Sequence, residues 1–439
     1  MSGIDVGLIS VIAILVLIYA GMYVPVALGL VSFVSVWLLR GSLDAPVYLV
    51  TLAASSSLED YIFGVIPLFV LMGLVVSHAQ MGQDIYQVAH HLLGRVRGGL
   101  GVATVAANAA FAAITGVSIA SASVFSRVAV PEMMRFGYAP RFAVGVVAGS
   151  SVLGMLIPPS VMLIIYAIIT EQSVAALFTA GIIPGLMLSI AYIVAIVAMA
   201  TFFPGYVGGT RHKGATATGT TRMSGRDLVA KTTPLVSLIL LVLGGIYGGI
   251  FTPTEAGAVG ALGALVIALL KRKLDRSMLW EVLVETGHIV ASILMLIVAA
   301  TMYSRMLAIS GLPSELGLWI SHAELGFYSI LLIYVVLLVM LGTIMDTTSI
   351  ILIMVPLFLP VMSPYHIDLV WFGIITIVGA EIGLLTPPLG ISCYVIKSTL
   401  DDDRISLYDI FAGAFPFAVI MLLVLLLLIA FPSLSLMLI

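Results

Sequence analysis

An all-α polytopic membrane protein is predicted by three features of this sequence: its apolar content, the length of its apolar runs, and a set of Gly and Pro motifs that occurs twice. Hydrophobic residues make up 62% of the 439 and charged residues only 9%, with a mean hydropathy of +1.24. Soluble domains are roughly half apolar and about a quarter charged, so a water-soluble fold is excluded. Runs such as 182–203 and 416–431 reach or approach the ~20 residues a helix needs to cross the hydrocarbon core. The N-terminus has no positive n-region and no small-x-small cleavage site, so the first apolar run is expected to remain as a helix. The single cysteine, Cys393, lies in an apolar run and reads as a packing residue. A net charge of −3 names no partner and gives no reason to expect nucleic acid.

Apolar runs and their flanks place five spans in a first half, 1–203, at 4–20, 24–39, 62–77, 142–170 and 174–203. A polar linker, 204–233, divides the chain. The second half, 234–439, has five more, at 234–249, 251–270, 283–309, 369–396 and 410–431. Between the third and fourth span of each half lies a stretch rich in small and polar residues, 98–140 and 325–366, which divides around Thr115-Gly116-Val117-Ser118 and around Gly342 to Thr348. Each reads as a re-entrant hairpin of two half-helices. Its tip must be buried in protein or line a wet cavity, because lipid cannot satisfy free amides and carbonyls. Two short full-length helices joined by a tight turn are the alternative.

The halves match in sequence. GxxxPxxxG runs from Gly21 through Pro25 to Gly29 and again from Gly249 through Pro253 to Gly257; GxLxPP runs from Gly154 to Pro159 and from Gly383 to Pro388. The tip glycines, Gly116 and Gly342, follow the same order. Three matches at offsets of 226 to 229 residues argue for duplication, and an odd number of spans per half makes the repeats inverted. Sidedness agrees. With five spans per half, every Lys and Arg except Arg40 and Arg305 falls on one side, which the positive-inside rule makes cytoplasmic, and both termini are then periplasmic. Before each hairpin comes a short amphipathic stretch that reads as a helix in the membrane plane: Ile85, Val88, Ala89, Leu92 and Leu93 on one side, Leu312, Leu316, Trp319 and Ile320 on the other.

Enzyme signatures are scarce: there is no HExxH, P-loop, GxSxG or Cys-x-x-Cys, and apart from His90 and His91 the histidines are scattered. Neither catalytic residues nor an organic cofactor is expected. What the chain offers is irregular backbone near the midplane, where a hairpin tip faces a span broken at Pro-Pro. Freed carbonyls and Ser or Thr hydroxyls are hard neutral ligands suited to Na⁺, and half-helix N-termini can face an anion. The first candidate ion site comprises Thr115, Gly116 and Ser118 with Gly154, Ile157 and Pro159. The second comprises Gly342, Asp346 and Thr347 with Gly383, Thr386 and Pro388. Close helix packing is the rival role for any one of these glycines and hydroxyls. Asp346 is the most telling lone charge, since a carboxylate at a tip needs a cation, a helix N-terminus or water. Asp346, Ser118 and Arg305 are the candidates for meeting substrate, with snorkelling to the interface as the rival role of Arg305. Glu381 either joins the ion chemistry or points to solvent, and Glu255 reads as a helix-start residue.

Four segments carry a resemblance: Ile66-Pro67-Leu68-Phe69 with Met72-Gly73, Ile157-Pro158-Pro159-Ser160, Ile250-Phe251-Thr252-Pro253-Thr254-Glu255-Ala256, and Leu385-Thr386-Pro387-Pro388-Leu389-Gly390. In this order the chain resembles, over nearly its whole length, the large membrane (M) subunit of tripartite ATP-independent periplasmic (TRAP) transporters. The first tip, Thr115 to Ser121, departs from the family's serine-rich tip. The resemblance implies an elevator-type ion-transporter fold in a bacterial inner membrane, with hairpins and broken helices moving against a scaffold. It implies Na⁺ symport of an organic acid such as a dicarboxylate, and the duplicated tip-and-break units lead to an expectation of two or more Na⁺. It also implies three kinds of partner besides lipid: that acid, a periplasmic substrate-binding (P) protein and a separate small membrane (Q) subunit. Proton coupling, binding-protein-independent transport, a channel and an intramembrane enzyme are the competing readings. The last lacks a positioned nucleophile or metal.

Overall fold

A computed structural model describes residues 2–59, 61–208, 223–322 and 326–439. It is helical, and among these residues the one strand-like pairing is an isolated bridge between Tyr138 and Gly208. The first half runs α1 (Gly3–Tyr19), α2 (Val24–Arg40), α3 (Asp44–Glu59), α4 (Val65–His78), α5 (Met81–Leu93), α6 (Gly99–Thr115), α7 (Ser118–Arg135), α8 (Pro140–Ser151), α9 (Leu153–Leu156), α10 (Val161–Thr170), α11 (Val174–Phe202) and the short α12 (Pro204–Val207). The second half runs α13 (Gly225–Tyr247), α14 (Pro253–Leu270), α15 (Arg276–Ser310), α16 (Leu312–His322), α17 (Phe327–Gly342), α18 (Thr347–Met362), α19 (Leu369–Leu384), α20 (Ile391–Leu400), α21 (Leu407–Ala430) and α22 (Ser433–Leu436). The order of elements recurs. Two helices (α1 and α2; α13 and α14) lead into a long path (α3 and α4; α15), a short helix (α5; α16), a helix pair (α6 and α7; α17 and α18), a broken helix (α8 to α10; α19 and α20) and a closing helix (α11; α21).

The helix starts follow local chemistry. Reciprocal bonds between Ser2 and Asp5 open α1, and the same capping box opens α14 through Thr252 and Glu255 and α21 through Ser406 and Asp409. Glu255 is therefore a helix-start residue, its Oε2 accepting from the Thr252 amide at 2.8 Å. By length and composition, six helices among the described residues can cross a membrane, and eight elements can if two bent pairs each count as one. These pairs are α4 with α5, bent by 64°, and the α8–α9 segment with α10, bent by 41°.

Several boundaries differ from the sequence reading. Helix α3 lies where no element was expected; its C-terminal run of Ser55, Ser56, Ser57 and Glu59 lowers the hydropathy signal although nothing there stops a helix. Helix α13 starts at Gly225 rather than 234, because Arg226, Asp227 and Lys231 are good enough helix residues to extend the apolar span through Pro234. Helix α15 starts at Arg276 rather than 283, capped by Asp275, whose Oδ1 accepts from the Met278 amide at 2.7 Å. The 142–170 and 369–396 spans, by contrast, are each broken at their Pro-Pro, where the sequence reading put the breaks. Helices α6, α7, α17 and α18 have 16 to 18 residues, roughly 24–27 Å at 1.5 Å each, long for half-helices.

Helix α5 buries Met81, Ile85, Tyr86 and Ala89, while Leu92, expected on the same face, is 59% exposed. Its polar side is fastened: Lys271 donates to Asp84 and Lys231 to Gln87, tying α5 to the end of α14 and to α13. On α16, Leu312 is buried and Trp319 exposed, and the side chain of Ile320 lies outside the described residues. The tightest approach is between α8 and α21. A Cβ on Gly145 would stand 2.2 Å from the Gly413 carbonyl oxygen, so no larger residue fits there. In the loop after α20, the Arg404 guanidinium and amide hydrogen-bond to Asp402 and hold its carboxyl down to about 2.

Candidate functional site

Two residues, Gly116 and Val117, separate α6 from α7. Gly116 has φ +63°, a left-handed conformation that costs glycine little, and its amide closes α6 on the Ala112 carbonyl at 3.1 Å. Its own carbonyl accepts from the Val161 amide, at the first residue of α10, at 3.2 Å. In the second half the Thr343 carbonyl accepts from the amides of Leu389 at 3.0 Å and Gly390 at 3.3 Å, just before α20. Each tip is thus bonded through one carbonyl to the break of its own half. Thr343, rather than Gly342, takes the part of Gly116.

Glycines at the breaks let the backbones meet. A Cβ on Gly154 would lie 3.0 Å from the Val117 carbonyl carbon; one on Gly383 would lie 2.4 Å from Gly342 Cα. The Pro158-Pro159 and Pro387-Pro388 bonds are both cis. The Ser160 hydroxyl donates to the Met155 carbonyl at 2.5 Å, and the Thr386 hydroxyl to the Gly383 carbonyl at 2.9 Å. The first break is largely buried, whereas Pro387, Pro388 and Leu389 are exposed.

A cavity of about 1010 Å³ brings the two tips together: Thr115 and Ser118 line it from the first, Asp346 and Thr347 from the second. Gly116, Gly154, Ile157 and Pro159 are not part of its wall, nor are Gly342, Gly383, Thr386 and Pro388. These form the backing behind each tip: Gly116 abuts the Pro159 carbonyl, and Ile157 abuts Gly185 of α11. Ser118 is fully buried, and its hydroxyl oxygen has no hydrogen-bond partner. Asp346 is the N-cap of α18, its Oδ2 accepting from the Ser349 amide at 3.1 Å and its Oδ1 from the Ser349 hydroxyl. The helix start therefore supports this charge while leaving it on the cavity wall.

Arg305 does not line the cavity. Its guanidinium reaches the Ser56 hydroxyl at 3.4 Å, because α3 packs on α15 and presents a polar face there. The cavity's guanidinium is Arg127, and its lining also includes His78, Glu285 and His288, with His78 Nε2 3.9 Å from the Glu285 carboxylate. The sequence reading assigned Arg127 to a cytoplasmic loop and gave the other three no part in a site. The signal for Arg127 was helical spacing: Ala120, Ser123, Val124, Arg127 and Val128 form one i, i+3, i+4, i+7, i+8 face of α7, and all five line the cavity. No group of three or more His, Cys, Asp or Glu able to hold a metal ion occurs among the described residues.

The profile of the family described as "Tripartite ATP-independent periplasmic transporter, DctM component" matches residues 11–434. This chain belongs to that family. It is 33% identical to the C4-dicarboxylate TRAP transporter large permease protein DctM of Pseudomonas aeruginosa over 382 residues, 86% of either chain. It is 30% identical to the sialic acid TRAP transporter large permease protein SiaM of Vibrio cholerae over 98% of this chain and 97% of that one. Among solved structures it is similar in fold to the YdaH transporter of Alcanivorax borkumensis, with a TM-score of 0.64 over 90% of both chains at 15% identity. The chain is thus a multi-pass TRAP transporter large permease subunit and a transport protein rather than an enzyme.

Proposed function

We propose that this subunit couples the entry of Na⁺ to the import of an organic acid across a bacterial inner membrane, by an elevator motion of its two tips and broken helices. The acid belongs to the class of C4-dicarboxylates or sialic acid, as for the named relatives. A periplasmic binding protein delivers it, and a small membrane subunit accompanies the permease, as the tripartite family name suggests. One observation carries the ionic part. The cavity shared by both tips faces an organic anion with one guanidinium, Arg127, against two carboxylates, Glu285 and Asp346. An anion enters such a site favourably only with accompanying cations, and a low-dielectric pocket magnifies that requirement. The Ser118 hydroxyl, buried and without a partner, and the Asp346 carboxylate are oxygens placed to meet them.

Na⁺ fits the first tip better than a proton does, because Thr115, Gly116 and Ser118 offer hydroxyls and carbonyls with no titratable group. With one ion at each tip, uptake into proteoliposomes should rise sigmoidally with external Na⁺ and show at least two Na⁺ per substrate. A coupling of one Na⁺, or uptake driven by a pH gradient with no Na⁺ present, would remove the two-site reading. The inverted arrangement has its own test. A cysteine replacing Thr216, in the linker and outside the described residues, should react with impermeant maleimide only from the cytoplasm. Labelling from the periplasm would overturn the sidedness.

A further inference from the structure

Of the two carboxylates that line the cavity, Asp346 caps α18 and Glu285 caps nothing. Glu285 lies nine residues after Arg276, the first residue of α15, which places it roughly 14 Å along a helix long and apolar enough to cross a membrane. A carboxylate at such a depth is costly unless a partner or water meets it. Among the described residues Glu285 makes no hydrogen bond, and its ion pair with His78 Nε2, at 3.9 Å, is too long to count as one. The side chain is 49% exposed, so its oxygens are free to accept from whatever fills the cavity. Arg127 has no ion-pair partner among the described residues either. It stands on α7, which packs chiefly on α6, α8 and α20, whereas α15 packs chiefly on α2, α3 and α4. The two opposite charges therefore come from separate groups of helices and do not neutralise each other. An acid whose carboxylate meets Arg127 presents a different part of itself to Glu285.

We propose that Glu285 is a specificity-determining residue, which accepts hydrogen bonds from hydroxyl groups at the end of the substrate remote from its carboxylate and rejects a second carboxylate there. The inference rests on the organic-acid reading above and selects within it a hydroxylated monocarboxylic acid over a dicarboxylate. An ionised carboxylate has acceptors only, so it pairs with an O–H donor and repels another carboxylate. Repulsion between juxtaposed like charges is large, and a low-dielectric cavity strengthens it. Arg127 is the only Lys or Arg in the lining, so a substrate with two carboxylates finds one guanidinium. His78 of α4 and His288, one turn beyond Glu285 on α15, complete this polar group. Either imidazole can bond a hydroxyl that also donates to Glu285. The Ser292 hydroxyl, a further turn along, is already given to the His288 carbonyl at 2.8 Å. At about 1010 Å³ the cavity has room for a polyhydroxylated chain rather than for a carboxylate alone.

The test is calorimetric binding of D-gluconate and D-glucarate to the purified full-length permease at saturating Na⁺ and fixed pH. These six-carbon hydroxy acids differ only at the end remote from the shared carboxylate, a hydroxymethyl group in one and a second carboxylate in the other. Wild type should bind gluconate more tightly by about tenfold or more. Glu285→Gln keeps the shape and removes the charge, so it should weaken gluconate, strengthen glucarate and bring the ratio close to one. Loss of a merely structural contact would weaken both acids alike and leave the ratio where it was. Arg127→Gln should weaken both acids, since both carry the carboxylate that the guanidinium meets. Equal or tighter binding of glucarate by wild type, or a ratio that Glu285→Gln leaves unchanged while Arg127→Gln weakens both acids, overturns the role of Glu285 and spares the organic-acid reading. Binding of neither acid, or binding indifferent to Arg127→Gln, overturns that reading and this inference with it. If Glu285→Gln cannot be purified, the wild-type ratio alone decides.

Discussion

Asp346→Asn should lower Na⁺-driven uptake by roughly 10- to 150-fold at sub-saturating Na⁺ while leaving the protein folded. The magnitude follows from the contact removed, since a charge-assisted bond contributes about 1.5–3 kcal/mol and about 1.4 kcal/mol is tenfold. The folding half follows from the cap. Asp346 accepts from the amide and hydroxyl of Ser349, and asparagine is as good an N-cap as aspartate, so α18 keeps its start. Because Asp346 lines the cavity with Ser118 and Thr115, the charge is lost at the place where the proposed coupling brings the anion and its cations together. Uptake by Asp346→Asn proteoliposomes, measured against Na⁺ at fixed substrate, should move its half-saturation to higher Na⁺, whereas melting in detergent should be little changed. Unaltered Na⁺ dependence would show that the carboxylate is only a cap, and melting several degrees lower would place the loss in folding.

The parts of this molecule legible in its sequence are those that lipid enforces. Long apolar runs must be helices, and backbone freed at Pro-Pro must be buried or wet, so the breaks at Pro158-Pro159 and Pro387-Pro388 and the tips around Gly116 and Asp346 stood out from the order of residues alone. Helix α3 did not. Serine is a tolerable helix residue, so Ser55, Ser56 and Ser57 lowered the hydropathy without stopping the helix, and the partner of Arg305 went with it. Side chains that meet only in three dimensions were equally silent: Arg127 on α7 and Glu285 on α15 share a cavity wall, though nothing in the chain between them reports it. Glycine was ambiguous for another reason. The same GxLxPP spacing fits a glycine that exposes its carbonyl to an ion and one that only lets two backbones touch, and the sequence contains no distance to separate them.

Alanine at these glycines separates the two roles, because it keeps the carbonyl and adds only a methyl group. At Gly383 the added carbon would lie 2.4 Å from Gly342 Cα and 2.6 Å from the Val339 carbonyl oxygen, all of it backbone that moves only if α17 and α19 separate. At Gly154 the nearest atoms are the Val117 carbonyl carbon at 3.0 Å and the Ser118 amide nitrogen at 3.1 Å, a contact that yields with a shift of a few tenths of an ångström. Overpacking a filled interior costs about 1–3 kcal/mol. Gly383→Ala should sit at or above the top of that range and Gly154→Ala near the bottom, although the two positions match in the repeat. Thermal melting in detergent should therefore fall by several degrees more for Gly383→Ala. Its uptake at saturating Na⁺ should drop by about 100-fold or more, the factor that close to 3 kcal/mol represents, because the second tip can no longer seat against its broken helix. Gly154→Ala should transport within about tenfold of wild type. Equal damage at both positions, or greater damage at Gly154, would mean that packing distance does not decide their role and that the first-half carbonyl is an ion ligand displaced by even a small shift.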